Sequence, residues 1–357
     1  MEASVTSNAG DQAVSTSCVE GPGVFSTTAM TLNLKADRPN AAASKSSPNT
    51  TEYTAGWICA LPVEMAAAVG MLDEVFQNPP QAELDENFYA VGRIAHIKTV
   101  IVCLPYKAAG TTAATRVAEQ MRQTFTALKF VLLVGVGGGM PSREVDVRLG
   151  DIVVSISSDG LPAVIQYDYG KEVSNGVFTT TGYLNAPPEI LLKAIARMET
   201  QGLFRSSERL LSIEMSITKL HGISEGNWLH PGKDNDLLFT SNYIHEDKSS
   251  TCKKCDINCL EDRPQRGSMH PKIHYGTIAS GNRVMRDGVA RERLRAEKNA
   301  LCVEMEAAGI MNIFPCLVIR GISDYADSHK NNNWQAYAAA VASAYAKELL
   351  SNMPRHK

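Results

Sequence analysis

The sequence predicts an α/β fold, a three-layer α/β/α arrangement with helices on both faces of a sheet. Three observations point there. Short apolar runs of buried-strand length recur along the chain and alternate with stretches of helical period. One of them, Phe130-Val131-Leu132-Leu133-Val134, leads straight into Gly135-Val136-Gly137-Gly138-Gly139, an order that brings a backbone close to a ligand. The length of 357 residues, 44% of them hydrophobic, supplies one large core.

Residues 1–50 are rich in Ser, Thr, Ala, Asn and Gly and lack periodicity. That composition buries too little apolar surface to offset the entropy of ordering, so a disordered leader is expected there. Its acids Glu2, Asp11, Glu20 and Asp37 argue against a transit peptide. The folded domain is expected over residues 51–352. Residues 54–61 read as the first strand, and Pro62-Val63-Glu64 opens a helix reaching Leu72. Residues 88–94 and 97–104 read as strands, and 111–125 as a helix. Residues 130–134 and 151–156 read as strands, with 188–199 as the next helix. Residues 203–271 then break the alternation with polar runs, clustered cysteines and His221, His230, His245 and His270, which reads as an insertion or lid. Beyond it, residues 273–279, 301–303 and 316–322 read as strands, and 305–313 and 333–350 as helices. In the last helix Trp334, Tyr337, Val341, Tyr345 and Leu349 fall on one face, the stripe of a core-packed helix.

Acidic and basic residues nearly cancel, for a formal net charge of −3, and no basic stripe suited to a nucleic-acid backbone is present. No apolar run approaches the roughly 20 residues of a membrane helix. The start, Met1-Glu2-Ala3-Ser4, has no basic and apolar regions of a secretory signal. A cytoplasmic protein acting on a small molecule is therefore expected, with reduced thiols. Cys59, Cys103, Cys302 and Cys316 sit in apolar segments and read as small buried hydrophobes. Cys252-Lys253-Lys254-Cys255 has the spacing of a zinc half-site, with Cys259, His245 and His270 near in sequence. No second such pair follows, so the spacing fits a structural metal or an ordinary loop with reduced thiols.

Four constellations carry candidate chemistry. Glu64 follows the first strand, at the sheet edge where open α/β folds bind ligands, although an acid also suits any helix N-terminus. The glycine run is followed by Gly150-Asp151-Ile152-Val153; it is neither a Walker motif nor a dinucleotide fingerprint. Val303-Glu304-Met305-Glu306 and Arg320-Gly321-Ile322-Ser323-Asp324 place acids where apolar strands run out, with Arg320 a ready ion-pair partner for Glu306. Carboxylates facing one pocket are what cleavage through an oxocarbenium-like transition state needs: one acid protonates the leaving group, another activates water or stabilises positive charge.

In this order, Ala60-Leu61-Pro62-Val63-Glu64, the glycine-rich strand end, Gly150-Asp151-Ile152-Val153, Ala279-Ser280-Gly281, Glu304-Met305-Glu306-Ala307-Ala308 and Arg320-Gly321-Ile322-Ser323-Asp324 resemble the nucleoside phosphorylase superfamily. The likeness is nearest to its methylthioadenosine/S-adenosylhomocysteine nucleosidases and to phosphorylase-like domains of fungal signalling proteins. It implies a central mixed sheet of that type, a purine nucleoside substrate, no cofactor, no nucleic-acid or membrane partner, and a homodimer or higher oligomer. It also implies roles: Glu64 activates water, Asp324 protonates the purine as general acid, and Met305 and Glu306 hold the ribose. Arg320 holds the carboxylates in place; Arg320, Ser323, Gly137 and Gly138 also count among the substrate-binding residues, and Val284 and Met285 lie against the base. Two positions depart from the family's pattern, since no aromatic stands at Val284 and Val136 replaces a serine. A carboxylate at Glu64 repels phosphate but suits water, so hydrolysis is expected; the alternatives are phosphorolysis and a non-catalytic nucleoside sensor.

Overall fold

In chain order the strands and helices begin with β1 (Ala55–Cys59), α1 (Pro62–Gly70), β2 (Glu74–Val75), β3 (Tyr89–Ile94), β4 (Ile97–Cys103), α2 (Thr111–Thr124) and β5 (Phe130–Gly139). There follow β6 (Ile152–Ser155), β7 (Val164–Gln166), β8 (Gly170–Val173), β9 (Val177–Thr180) and the long α3 (Glu189–Ile223). The chain closes with β10 (Ile273–Ser280), α4 (Gly288–Lys298), β11 (Ala300–Glu304), β12 (Cys316–Asp324) and α5 (Gln335–Ser351). This computed structural model describes residues 49–158, 160–174, 177–245 and 251–355. The leader expected over residues 1–50 falls almost wholly outside the described residues.

Ten strands form one mixed sheet in the order β11-β10-β6-β12-β5-β1-β4-β3-β2, with β7 added beside β10. The strands β1, β4, β5 and β12 run parallel, while β6 is antiparallel to β12. An antiparallel pairing of β11 with β5 curls one end of the sheet closed. Side-chain alternation then sorts the core into two layers. Trp57, Leu132 and Leu317 face α1, α3 and α5, whereas Ile58, Leu133 and Val318 face α2. The expected three layers are present. All five residues of the predicted stripe in and before α5 are buried, but so is nearly every other side of that helix, because alanines let it sink between α1, α3 and the sheet.

Three elements differ from the sequence reading. The glycines of 135–139 do not form a loop after the strand; they continue β5, paired with β12 as far as Gly138. The helix expected to stop at Glu199 runs on to Ile223, with Gly202 in its interior. Its buried Leu191, Ala194, Ile195 and Met198 resume as Ile213, Ile217 and Leu220, so helical burial returns after a stretch in which even Leu203 and Phe204 are exposed. The irregular segment therefore begins at Ser224 rather than at 203. The helix expected over 305–313 is only a 3-10 turn at Ala307–Gly309 with loose turns beyond. No helix among the described residues is long and apolar enough to cross a membrane.

The irregular segment is fastened to the core by charge. Asp151, 1% exposed, accepts both terminal nitrogens of Arg266 at 2.6 Å, His274 at 2.8 Å and the amides of Arg148 and Lys272 at 2.9 Å. Burial opposes the charge on Asp151, yet the Arg266 and His274 contacts outweigh it and hold the carboxyl below the usual range. Arg266→Ala leaves a buried carboxylate without its main partner and should destabilise the fold by about 3–5 kcal/mol in urea unfolding near neutral pH. Because the Asp151 pKa is depressed in the fold, its contribution is present at neutral pH and lost as pH falls through that depressed value. The gap between wild type and variant should therefore close in acid.

Candidate active site

Pro62 at the first position of α1 fixes the turn out of β1, and Glu64 sits two residues on. Its carboxylate folds back onto the helix start: Oε2 accepts the amides of Ala60 (2.7 Å) and Leu61 (2.9 Å), and Oε1 accepts that of Val136 in β5 (2.8 Å). Glu64 is 2% exposed. Burial raises its pKa, against the pull of Arg320 and the three amides. A Cβ on Gly135 would lie 2.4 Å from Glu64 Oε1 and 2.6 Å from Arg320 Nη1, so the approach of these two side chains demands glycine there.

Arg320, on β12, is fully buried. Its Nη2 donates to Glu304 and, at 3.2 Å, to Glu306, and Nη1 donates to the Val136 carbonyl at 3.4 Å. Glu304 also accepts the amides of Glu306 and Ala307, which orders the turn leaving β11 and explains the 3-10 start in place of an α-helix. The second oxygen of Glu306 accepts the Gly110 amide at 3.2 Å. Gly110 has φ +97°, and a Cβ there would lie 2.7 Å from Asn282 Oδ1, which itself accepts the Thr111 amide and hydroxyl. Asp168 in turn accepts the Asn282 amide at 2.6 Å. A chain of polar contacts thus runs from the end of β7 to Glu306.

Asp324 ends β12 opposite Gly138, as Ile322 lies opposite Gly137. Its Oδ1 accepts the Ala326 amide (3.0 Å), and Oδ2 accepts the Ser323 hydroxyl (2.8 Å) and Lys330 Nζ (2.7 Å). The cation facing Asp324 is thus Lys330; Arg320 serves the glutamates. Met305 and Met285 are half-buried, the latter packed on the small apolar cluster that includes Met140, Tyr167, Val303 and Ala326. Val284 is 59% exposed. The structure therefore joins Glu64, Glu306 and Arg320 in one buried cluster and sets Ser323 and Asp324 beside it across the β5 glycines.

Sequence reasoning missed Tyr167, Gly110, Asn282 and Lys330 as parts of this region. Tyr167 supplies an aromatic ring beside Met285 and Gly281, following a strand of only three residues that gave little periodic signal. Of the expected buried cysteines, Cys59, Cys302 and Cys316 are buried and Cys103 partly so. Two cavities of about 250 and 520 Å³ open elsewhere, the first beside Asp151, His230, Arg266 and Trp334, the second beside Glu199, Arg209 and His274; neither touches Glu64, Glu306 or Asp324.

Burial pushes the Glu306 pKa up to about 7; Arg320 opposes this while Glu304 and Glu64 add to it. A raised value means the proton stabilises the fold fully below about 4.5 and this contribution is lost as pH rises through about 7. Glu306→Gln cannot ionise, so its melting temperature should gain on wild type as pH rises between those values. A constant offset across that window, read by thermal denaturation, would contradict the assignment.

The family described as "Phosphorylase superfamily" matches residues 231–351, a stretch that begins inside the segment expected as an insertion. A nucleotide-binding leucine-rich repeat (NLR)-like protein of Hyaloscypha variabilis is 44% identical over 309 residues, 84% of this chain and 29% of that protein. The ATP nucleosidase Cap17 of Escherichia coli is 25% identical over 306 residues, 83% of this chain and 50% of that one. The chain thus spans half or less of the length of these relatives. Among solved structures, a Helicobacter pylori 5'-methylthioadenosine/S-adenosylhomocysteine nucleosidase complexed with a substituted pyrrolidin-3-ol superposes with a TM-score of 0.54 at 15% identity, covering 85% of this chain and 99% of that one. The Neisseria meningitidis enzyme in complex with methylthio-immucillin-A gives 0.53 at 18% identity, covering 84% and 99%. At such identities the likeness is one of fold. Residues 231–351 thus match the phosphorylase superfamily, and the chain has the fold seen in the solved nucleosidases.

Proposed function

We propose that this domain hydrolyses the N-glycosidic bond of a purine nucleoside or a 5'-substituted relative, releasing the base and a free sugar. The observation that carries the reading is the buried carboxylate of Glu64 held against Val136 and beside Arg320. An ionised carboxylate has about four acceptor positions, and backbone amides take three of them. One remains to receive a proton from water. Phosphorolysis needs cations and hydroxyls around an anion, whereas here the buried guanidinium is already engaged by two glutamates and the hydroxyl is replaced by Val136.

In this scheme Asp324 gives a proton to the purine, the C1'–N9 bond breaks with its electron pair passing to the base, and water adds to C1' as Glu64 takes the water proton. Glu306 accepts the ribose hydroxyls and its charge favours the cationic sugar, a contribution that grows toward the transition state. Lys330 and Ser323 position Asp324, and Tyr167 and Met285 belong to the apolar cluster that also holds Ala326. Because one relative is named an ATP nucleosidase, the substrate panel should include ATP beside adenosine, inosine, guanosine and methylthioadenosine.

The product should be a free sugar whether or not phosphate is added; strict phosphate dependence would overturn hydrolysis. Glu306→Gln should lower kcat by roughly 10² or more on ribonucleosides. Asp324→Asn still accepts and donates hydrogen bonds but carries no transferable proton, so kcat should fall about 10²–10⁴ with KM little changed. p-Nitrophenyl riboside, whose leaving group needs no proton, should escape most of that loss. Equal losses on both substrates would reduce Asp324 to a positioning residue.

A further inference from the structure

The cysteine pair that the proposed hydrolysis leaves unused lies over the turn that follows Asp324. The donor atoms of His245, Cys252 and Cys255 all lie within 4.8 Å of one another, and all three residues are half-buried. Zinc bonds of about 2.0–2.3 Å place tetrahedral donors roughly 3.3–3.8 Å apart, so small side-chain adjustments bring this group onto one ion. The backbone already has the required turn, since the Cys255 amide donates to the Cys252 carbonyl at 3.1 Å, and the two thiols share a hydrogen bond. His245 Nε2 lies 3.3 Å from the Thr251 carbonyl, the kind of outer contact that orients a ligating imidazole.

An independent observation comes from the other side. His329 is 6% exposed, yet among the described residues neither ring nitrogen has a hydrogen-bond partner, and its Nδ1 stands 3.7 Å from Asp327 Oδ1. Buried imidazoles are ordinarily satisfied, so a ring in this state needs an explanation. It stacks on Phe239 at 4.1 Å and its centroid lies 5.3 Å from that of His245; its nitrogens stand outside the 4.8 Å donor group, so it reaches a shared ion by a movement of the ring toward His245. Two thiolates and two neutral imidazoles make a closed zinc site with no net charge, which suits a half-buried position.

We propose that His245, Cys252, Cys255 and His329 bind a structural zinc ion that clamps the irregular segment onto the turn following Asp324. Binding releases the two thiol protons and forms two Zn–S and two Zn–N bonds, with no change of oxidation state. The clamp adds to the existing contact in which the His245 amide donates to Ser328 Oγ at 3.0 Å. Cys259, outside the group, takes no part.

The full-length chain should purify with about one zinc per molecule by elemental analysis. After exhaustive dialysis against chelator, Co²⁺ should give the strong visible absorption of a tetrahedral thiolate site. Cys252→Ser and Cys255→Ser should lose both signals, and Cys259→Ser should keep them. His329→Gln should weaken Co²⁺ binding by roughly 10-fold or more. Should the serine variants fail to fold, the metal content and cobalt spectrum of wild type still decide. Wild type with no zinc and no cobalt spectrum would overturn the site. Equal loss in Cys259→Ser would overturn the ligand set, and unchanged Co²⁺ affinity in His329→Gln would overturn the fourth ligand.

Discussion

One guanidinium organises the centre of this protein. Arg320 has no exposed surface, and it ties together Glu304, Glu306 and the Val136 carbonyl while its charge tempers that of Glu64. Moving such a charge from water into a core is costly unless partners surround it, and here more than one carboxylate does so. Glu64, Glu304 and Glu306 outnumber this one cation, and burial beside the other two acids pushes the Glu306 pKa up to about 7.

Strand geometry delivers these groups. Glu64 follows β1, Glu304 ends β11, and Arg320 and Asp324 lie on β12, so strands rather than flexible loops set their spacing. The glycines of β5 run between them in register with β12. Residues mounted on paired strands keep their mutual distances better than residues on loops, which favours a site formed in advance of substrate. On the loop side, the series Asp168, Asn282, Gly110 couples to Glu306 through backbone amides.

The strands of the sheet were legible because each is a buried apolar run of the expected length, and the candidate carboxylates were legible because they follow those runs directly. Other features depend on distant partners. Gly202 resembles a helix stop, but α3 continues past it because Ile213, Ile217 and Leu220 have an apolar face to meet. Residues 305–313 have helical composition, yet the Glu304 carboxylate captures the first amides of the turn. Lys330 meets Asp324 only because Ala326, at φ +53°, turns the chain back, a conformation that no pattern of hydrophobic residues announces. Tyr167 was hidden in the same way, by a three-residue strand whose neighbours lie more than a hundred positions away.

The anchoring of Arg266 on Asp151 also bears on how the chain can be shortened. Asp151 stands at the mouth of β6, inside the sheet, while its principal cation comes from the irregular segment some hundred residues later. Excising that segment would remove polar surface from outside the domain and strand an anion within it. A trimmed version would need a neutral residue at 151, or a new cation from the core, before it could fold. The loop and the aspartate are thus a single inheritable unit, and drift in one is constrained by the other.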